Sequence, residues 1–375
     1  MLRHEFGWSA TAAAASLVAL PLTAICLPIA GSILDRFGVR RVAAVSCLLM
    51  VLSYFWLSFM NGSLGIFYAA TISLNVLGCA TGPIAYTRPI ASQFVRARGV
   101  ALAICLLGIS ISGMVLPVAL DHVMAAAGWR AGYWLLGSVS LVGGIIAIAL
   151  MKQEPYIETT ERTGSVISAG LLRVRSFWLL SIAIFCTSVA AIGLVSQFQS
   201  VMIERGLPPS RAIALLSGLA ASVFVTRLFV GWSLDVFPAE RTAAAALGLA
   251  AIGAVLLLLT HGNILYAASA TLLIGFSIGA ELDLLSFFCV RYFGVRNFGA
   301  VYGAIGVFFY TGMAAGAMLY AAIRDKTGSY LLAIAASAGL LLIAASLFLA
   351  MRPPSSPDRA ETNRRSSGSL SDLHV

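Results

Sequence analysis

Apolar runs of roughly span length, separated by short polar breaks, follow one another from one end of the chain to the other. At 1.5 Å per residue a helix needs about 20 residues to cross the ~30 Å hydrocarbon layer of a bilayer. Measured against that length, the pattern predicts eleven spanning helices. They fall at residues 9–30, 42–59, 64–87, 99–120, 131–151, 177–201, 212–233, 242–260, 264–290, 298–323 and 330–350. The only long internal break is 152–175, and after residue 351 the chain turns to Ser, Pro and Arg. The pattern therefore predicts an N-terminal bundle at 1–151, a linker at 152–175, a six-helix bundle at 176–351 and a disordered tail at 352–375. The fold class expected is an all-α polytopic membrane protein.

Composition agrees. Of 375 residues 60% are hydrophobic and 10% charged, and the mean hydropathy is +0.94. A soluble protein of this length needs far more charge to cover its surface. All six cysteines fall inside expected spans, where they act as small apolar side chains, and all four histidines fall outside them. No cluster with metal-ligand spacing and no nucleophile–histidine arrangement is visible, so the reading includes no cofactor, no metal and no enzyme.

The net charge of +9 is a topology signal. Lys and Arg concentrate in loops that stay in the cytoplasm. Taking alternate breaks, sixteen of the basic residues lie on one side and six on the other, with Arg88 and Arg227 inside spans. The side rich in arginine carries Arg36, Arg40, Arg41 and Arg241 and the C-terminal tail, and is read as cytoplasmic. Attraction to anionic lipid headgroups accounts for the rest of the charge, and no nucleic-acid partner is needed.

The two bundles are related by a repeat. "GSILDRFGVRR" at Gly31 returns, worn, as "GWSLDVFPAER" at Gly231, and at an offset of 200 Leu34, Asp35, Phe37 and Arg41 meet Leu234, Asp235, Phe237 and Arg241. In the same register "SGM" at 112–114 faces "TGM" at 311–313, and "AGWRAGY" near 127–133 faces "KTGSY" near 326–330. Parallel repeats of six-helix halves, with the site between them, are a transporter plan. By this offset the helix at 177–201 has its partner ahead of residue 1, so the first half shows five spans and the second six. The expectation is a chain that lacks the first helix of the pattern. A cleaved signal peptide over 1–30 is the weaker alternative, because that apolar run is long and matches 212–233.

These residues resemble a known family. "GSILDRFGVRR" is similar to the loop signature of the major facilitator superfamily, Gly-x-x-x-Asp-Arg-x-Gly-x-Arg-Arg, between its second and third helices. "EFGWSATAAAASL", "RPIASQFVRARGVALAICLLG", "AGWRAGYWLLG" and "GAELDLLSFFCVRYFGVRNFGAVYG" resemble the bacterial branch of the monocarboxylate-porter family. The resemblance implies two pseudo-symmetric bundles that rock about a central cavity, in the bacterial inner membrane, working as a monomer. It implies a cytoplasmic gate built on Gly31, Asp35, Arg36, Gly38, Arg40, Arg41, Asp235 and Arg241. Asp35 is placed there to accept helix N-terminal amides or pair with an arginine, latching the bundles outward-open. The second copy has Val236 for Arg36 and Pro238 for Gly38, and a weaker latch is expected of it.

Charges inside the spans are the other candidates, because each costs at least about 2.5–3.5 kcal/mol at mid-membrane. Arg88 lies near the end of its helix and reads as a snorkelling side chain. Arg227 lies about 22 Å into its span, in the otherwise apolar "SVFVTRLFVGW". Glu281 and Asp283 reach a similar depth, about 200° apart around their helix, so they cannot face one cavity together. One of the two pairs with Arg227 or carries a proton, and the other meets a neighbouring helix. The family resemblance implies that Arg227, followed by Gly231, anchors a substrate carboxylate, for which a guanidinium fork is suited. Where animal members carry an aspartate one turn earlier, this chain has Val223, so Glu281 or Asp283 would have to supply the proton site. Span 298–323 has no lysine of the kind oxalate-type relatives use, and the antiporter signature is absent from "GISISGMVLPVAL". Tyr302 and Tyr310 offer hydroxyls to a substrate. The resulting expectation is a secondary transporter moving a small organic anion, a monocarboxylate, with a proton. The alternatives are efflux of an amphipathic compound or a sensor that keeps the fold without transport.

Overall fold

The computed structural model describes residues 5–8, 19–94, 97–151, 170–295 and 297–351. The expected tail, most of the linker and the first ten residues of the span at 9–30 lie outside these. Among the described residues every regular element is helical. The first half holds α1 (Ala19–Phe37), α2 (Val39–Ser58), α3 (Leu64–Gly78), α4 (Pro83–Gln93) and α5 (Arg98–Leu150). The second half holds α6 (Arg175–Ser196), α7 (Phe198–Glu204), α8 (Pro209–Val236), α9 (Ala239–Leu258), α10 (Ile264–Phe293), α11 (Phe298–Thr327) and α12 (Leu331–Leu349).

The expected spans fall on these helices, but not one to one: 64–87 takes in α3 and the first part of α4, 177–201 takes in α6 and part of α7, and only residues 19–30 of the span at 9–30 are described. Among the described residues nine helical stretches are long and apolar enough to cross a membrane. One of them, α5, has 53 residues, about twice the length a single crossing needs. Its chain turns at Gly128 (φ 80, ψ 173), a conformation that a Cβ would oppose. That glycine separates the two expected spans at 99–120 and 131–151. Gly38, at φ 84, makes the matching break between α1 and α2. A 3-10 turn at Cys79–Thr81 joins α3 to α4, where Pro83 starts the new helix and needs no amide partner. Several helices run past their apolar stretch: α11 continues to Thr327 and α8 begins at Pro209. Membrane thickness limits the apolar run, while the helical hydrogen bonds continue into the polar layer.

Within the second half, α6 packs against α11 and α12, α8 against α10, and α9 against α10 and α12. The two halves meet chiefly through α1 on α11 and α5 on α8. Those two contacts are equivalent under the 200-residue offset. They place the ends of α1 and α8, with Asp35 and Asp235, at one end of the molecule and the turns at Gly62 and Gly262 at the other.

Candidate functional site: a paired latch and a buried charge cluster

The latch starts from glycine. At Gly31 an added Cβ would overlap the backbone carbonyl of Gly299, and at Gly99 it would overlap that of Gly231. Both helix pairs therefore touch backbone to backbone, which only glycine permits. One turn beyond each contact stands an aspartate. Asp35 accepts hydrogen bonds from Gly299 N (3.0 Å) and Ala300 N (2.8 Å) in the first turn of α11. Asp235 accepts them from Gly99 N (2.6 Å) and Val100 N (2.9 Å) in the first turn of α5. First-turn amides have no partner within their own helix and carry the positive end of its dipole, so a carboxylate suits both. Each bond from an amide to a charged acceptor is worth roughly 1.5–3 kcal/mol.

Arg88 distinguishes the first latch from the second among the described residues. Arg88 on α4 donates to Asp35 at 2.6 Å and to the Leu34 carbonyl at 3.2 Å, and it is buried. Position 288, its equivalent, is Phe. The position of Arg88 near a helix end predicts a snorkelling side chain; instead the guanidinium turns inward and meets Asp35. Arg36, Arg41 and Arg241 are exposed, and Arg40 is half-buried. The Arg36 guanidinium lies over the Phe37 ring at 5.3 Å. The worn second copy keeps both amide bonds to its aspartate. Pro238 (φ −56) takes the N-cap place that Gly38 fills at positive φ, so the turn changes while the carboxylate does not.

The second cluster lies inside the spans. Arg227 on α8 and Asp283 on α10 are 2% and 0% exposed, with Nη1 and Oδ1 3.3 Å apart. Their helices approach closely because Gly275 and Gly279 leave room for Ser222 and Thr226, and Thr226 also donates to the Gly275 carbonyl at 3.0 Å. Glu281 turns the other way and accepts a hydrogen bond from Ser188 on α6. The two acids thus reach different neighbours, as their angular separation requires. Arg227 Nε and Asp283 Oδ2 are buried and have no hydrogen-bond partner among the described residues. The helix that carries Asp283, α10, packs on α5 of the first half as well as on α8. It therefore sits where both halves converge. Tyr302 is buried against the Phe298 ring at 5.3 Å. Tyr310 is half-buried. Gly231 belongs to the latch contact with Gly99, so the Arg227–Gly231 spacing joins the two clusters on one helix.

Known proteins match in both sequence and fold. The Major Facilitator Superfamily profile matches residues 1–317. The probable sulfoacetate transporter SauU of Cupriavidus necator is 24% identical, over 94% of this chain and 88% of its own length. Human monocarboxylate transporter 11 is 23% identical, over 90% of this chain and 74% of its own length. Among solved structures, the E. coli fucose:proton symporter FucP superposes with a TM-score of 0.77 at 14% identity. That match covers 93% of this chain and 92% of the symporter.

Proposed function

The chain belongs to the major facilitator superfamily, a family of multi-pass membrane transporters, and on that footing we propose that it moves a small organic anion, a monocarboxylate, together with a proton. We assign it to the bacterial branch of the monocarboxylate porters, as a monomer in the inner membrane with its C-terminus in the cytoplasm. The observation that carries the substrate class is Arg227: a guanidinium buried in a span, tied to one carboxylate, with Nε left over. A buried unpaired cation is costly in the membrane, so a cation held by a protein carboxylate can exchange that partner for the carboxylate of a substrate. The names of two relatives, a sulfoacetate transporter and a monocarboxylate transporter, point to the same ligand chemistry.

Roles follow from the partners. Arg227 binds the substrate carboxylate, and Asp283 holds Arg227 between cycles. Glu281, which accepts from the Ser188 hydroxyl and makes no ion pair among the described residues, where Arg227 pairs with Asp283 instead, carries the proton, because neutralising it breaks no ion pair. Tyr302 and Tyr310 line the path toward the first half. Asp35 and Asp235, seated on the glycine contacts at Gly31 and Gly231, hold the cytoplasmic face shut, with Arg88 completing the first latch. Arg36, Gly38, Arg40, Arg41 and Arg241 shape that face and fix it in the cytoplasm. Opening requires both aspartates to leave their helix amides as the bundles rock.

The test is uptake into proteoliposomes of the purified protein, across a panel of short carboxylates and an inward proton gradient. At least one monocarboxylate accumulates with the wild type and none with Arg227→Ala, while melting temperature shows that the variant is folded. Unchanged uptake by Arg227→Ala, or transport confined to uncharged solutes, overturns the reading.

A further inference from the structure

Arg227 and Asp283 meet through a single pair of atoms, Nη1 and Oδ1, 3.3 Å apart. That contact leaves an N–H at Arg227 Nε and a carboxylate oxygen at Asp283 Oδ2. Both atoms are buried, and neither has a hydrogen-bond partner among the described residues. A buried donor or acceptor left unmatched is costly, more so when it is charged. Here one of each belongs to the same ion pair.

Hydroxyls on the adjoining turns are committed elsewhere. On α8, Thr226 shares its proton between the Ser222 carbonyl (2.8 Å) and the Gly275 carbonyl (3.0 Å). On α10, Ser286 donates to the Leu282 carbonyl at 2.8 Å. Ser188 on α6 donates to Glu281. A hydroxyl has one proton to give, so none of these three serves Asp283 Oδ2.

The chemistry of the two spare atoms narrows the occupant. A substrate carboxylate that takes Arg227 leaves Asp283 buried without its cation, and breaking a buried pair from one side is strongly disfavoured. A plain carboxylate does not relieve this, because it brings acceptors only. A keto oxygen beside the carboxylate suits Nε–H but faces Oδ2 as a second acceptor. An ammonium group suits Oδ2 but has no lone pair for Nε–H. A hydroxyl serves both, since its oxygen accepts from Nε–H while its proton goes to Oδ2. On the carbon next to the carboxylate, that oxygen lies beside a carboxylate oxygen. The two can then take parallel N–H bonds from one planar guanidinium.

We propose that the anion this chain selects is a 2-hydroxy carboxylate, and that Asp283 is the residue that selects it. The Arg227 fork binds one carboxylate oxygen and the hydroxyl oxygen, and Asp283 Oδ2 accepts the hydroxyl proton. Asp283 therefore keeps a partner when Arg227 turns to the substrate. The inference rests on Arg227 as the carboxylate anchor and goes beyond it by naming the group next to the carboxylate.

The test titrates the purified full chain with four acids of one carbon skeleton: 2-hydroxybutyrate, 2-oxobutyrate, 2-aminobutyrate and butyrate. Binding is read from thermal stabilisation. The wild type is expected to bind 2-hydroxybutyrate at least about tenfold more tightly than each of the other three, because only the hydroxyl matches both buried atoms. Asp283→Asn offers an amide N–H to a keto oxygen, so its preference for 2-hydroxybutyrate over 2-oxobutyrate should fall toward one. The wild-type comparison stands by itself if that variant fails to fold. Equal binding of 2-hydroxybutyrate and butyrate overturns the inference and leaves the anion reading in place. Tightest binding of 2-aminobutyrate makes the occupant a zwitterion and overturns it as well. A preference that survives unchanged in Asp283→Asn removes Asp283 as the selecting residue. Binding of none of the four acids overturns the anchor reading and the inference together.

Discussion

Asp35 and Asp235 stand 200 positions apart and make the same pair of bonds in opposite directions: each takes two first-turn amides of a helix in the other half of the chain. Two bundles joined by such reciprocal caps cannot separate at that face without losing four charge-assisted hydrogen bonds. Asp35 has Arg88 in addition. Asp35→Asn therefore weakens the closed face more than Asp235→Asn does. The measure is maleimide labelling of a cysteine placed at Ala103, which is 0% exposed and faces Gly231, in a background without native cysteines. Loss of about 1.5 kcal/mol of charged hydrogen bonding raises the labelling rate roughly tenfold for Asp35→Asn, and less for Asp235→Asn. Equal rates in both variants would show that Arg88 adds nothing to the latch.

Glycine contacts give a prediction with an internal control. A methyl at Gly99 or Gly299 would run into a backbone carbonyl of the opposite half, and backbone cannot step aside as a flexible side chain can. Gly99→Ala and Gly299→Ala should lower the melting temperature and increase labelling at Ala103. Gly248, in the middle of α9, has nothing within 4 Å. Gly248→Ala should raise stability by about 0.5–1 kcal/mol, because alanine loses less backbone entropy in a helix. Thermal unfolding in one detergent ranks all three.

How much of this was legible in the sequence differs by level. The spans were, because hydrocarbon thickness imposes a length that apolar runs of this chain obey. Asp35 and Asp235 were, because a repeated carboxylate among glycines survives where apolar matches carry no information. Arg88 was missed: its partner lies 53 positions away, and the repeat gives no echo because Phe288 replaces it. The 100° step between helical residues separated Glu281 from Asp283, but it could not say which neighbour each one finds. That depends on Gly275 and Gly279 bringing α10 onto α8, a packing property rather than a periodicity.

The Arg227–Asp283 pair separates stability from function. Removing one member leaves a buried charge unpaired, which costs about 3–5 kcal/mol, whereas replacing both by apolar residues of similar size is close to neutral. Arg227→Met and Asp283→Leu should each depress the melting temperature, and the double variant should recover most of it. Transport should be absent in all three, since the recovered protein has no cation for a carboxylate. A double variant that regains uptake along with stability would reduce the pair to a structural element.

Glu281 is assigned the proton because its contact is a hydroxyl, and that assignment has a specific kinetic consequence. A glutamine at 281 keeps the hydrogen bond to Ser188 and mimics the protonated acid permanently. Glu281→Gln should therefore still exchange labelled substrate across the membrane when substrate is present on both sides. It should fail to accumulate substrate against a gradient when only a proton gradient drives it. Asp283→Asn predicts a different pattern, with both exchange and accumulation impaired, because the position of Arg227 is disturbed in every step. Measuring counterflow and pH-driven uptake on the same proteoliposomes distinguishes the two acids. If Glu281→Gln retains proton-driven accumulation while Asp283→Asn loses only that activity, the proton belongs to Asp283 and the roles are exchanged.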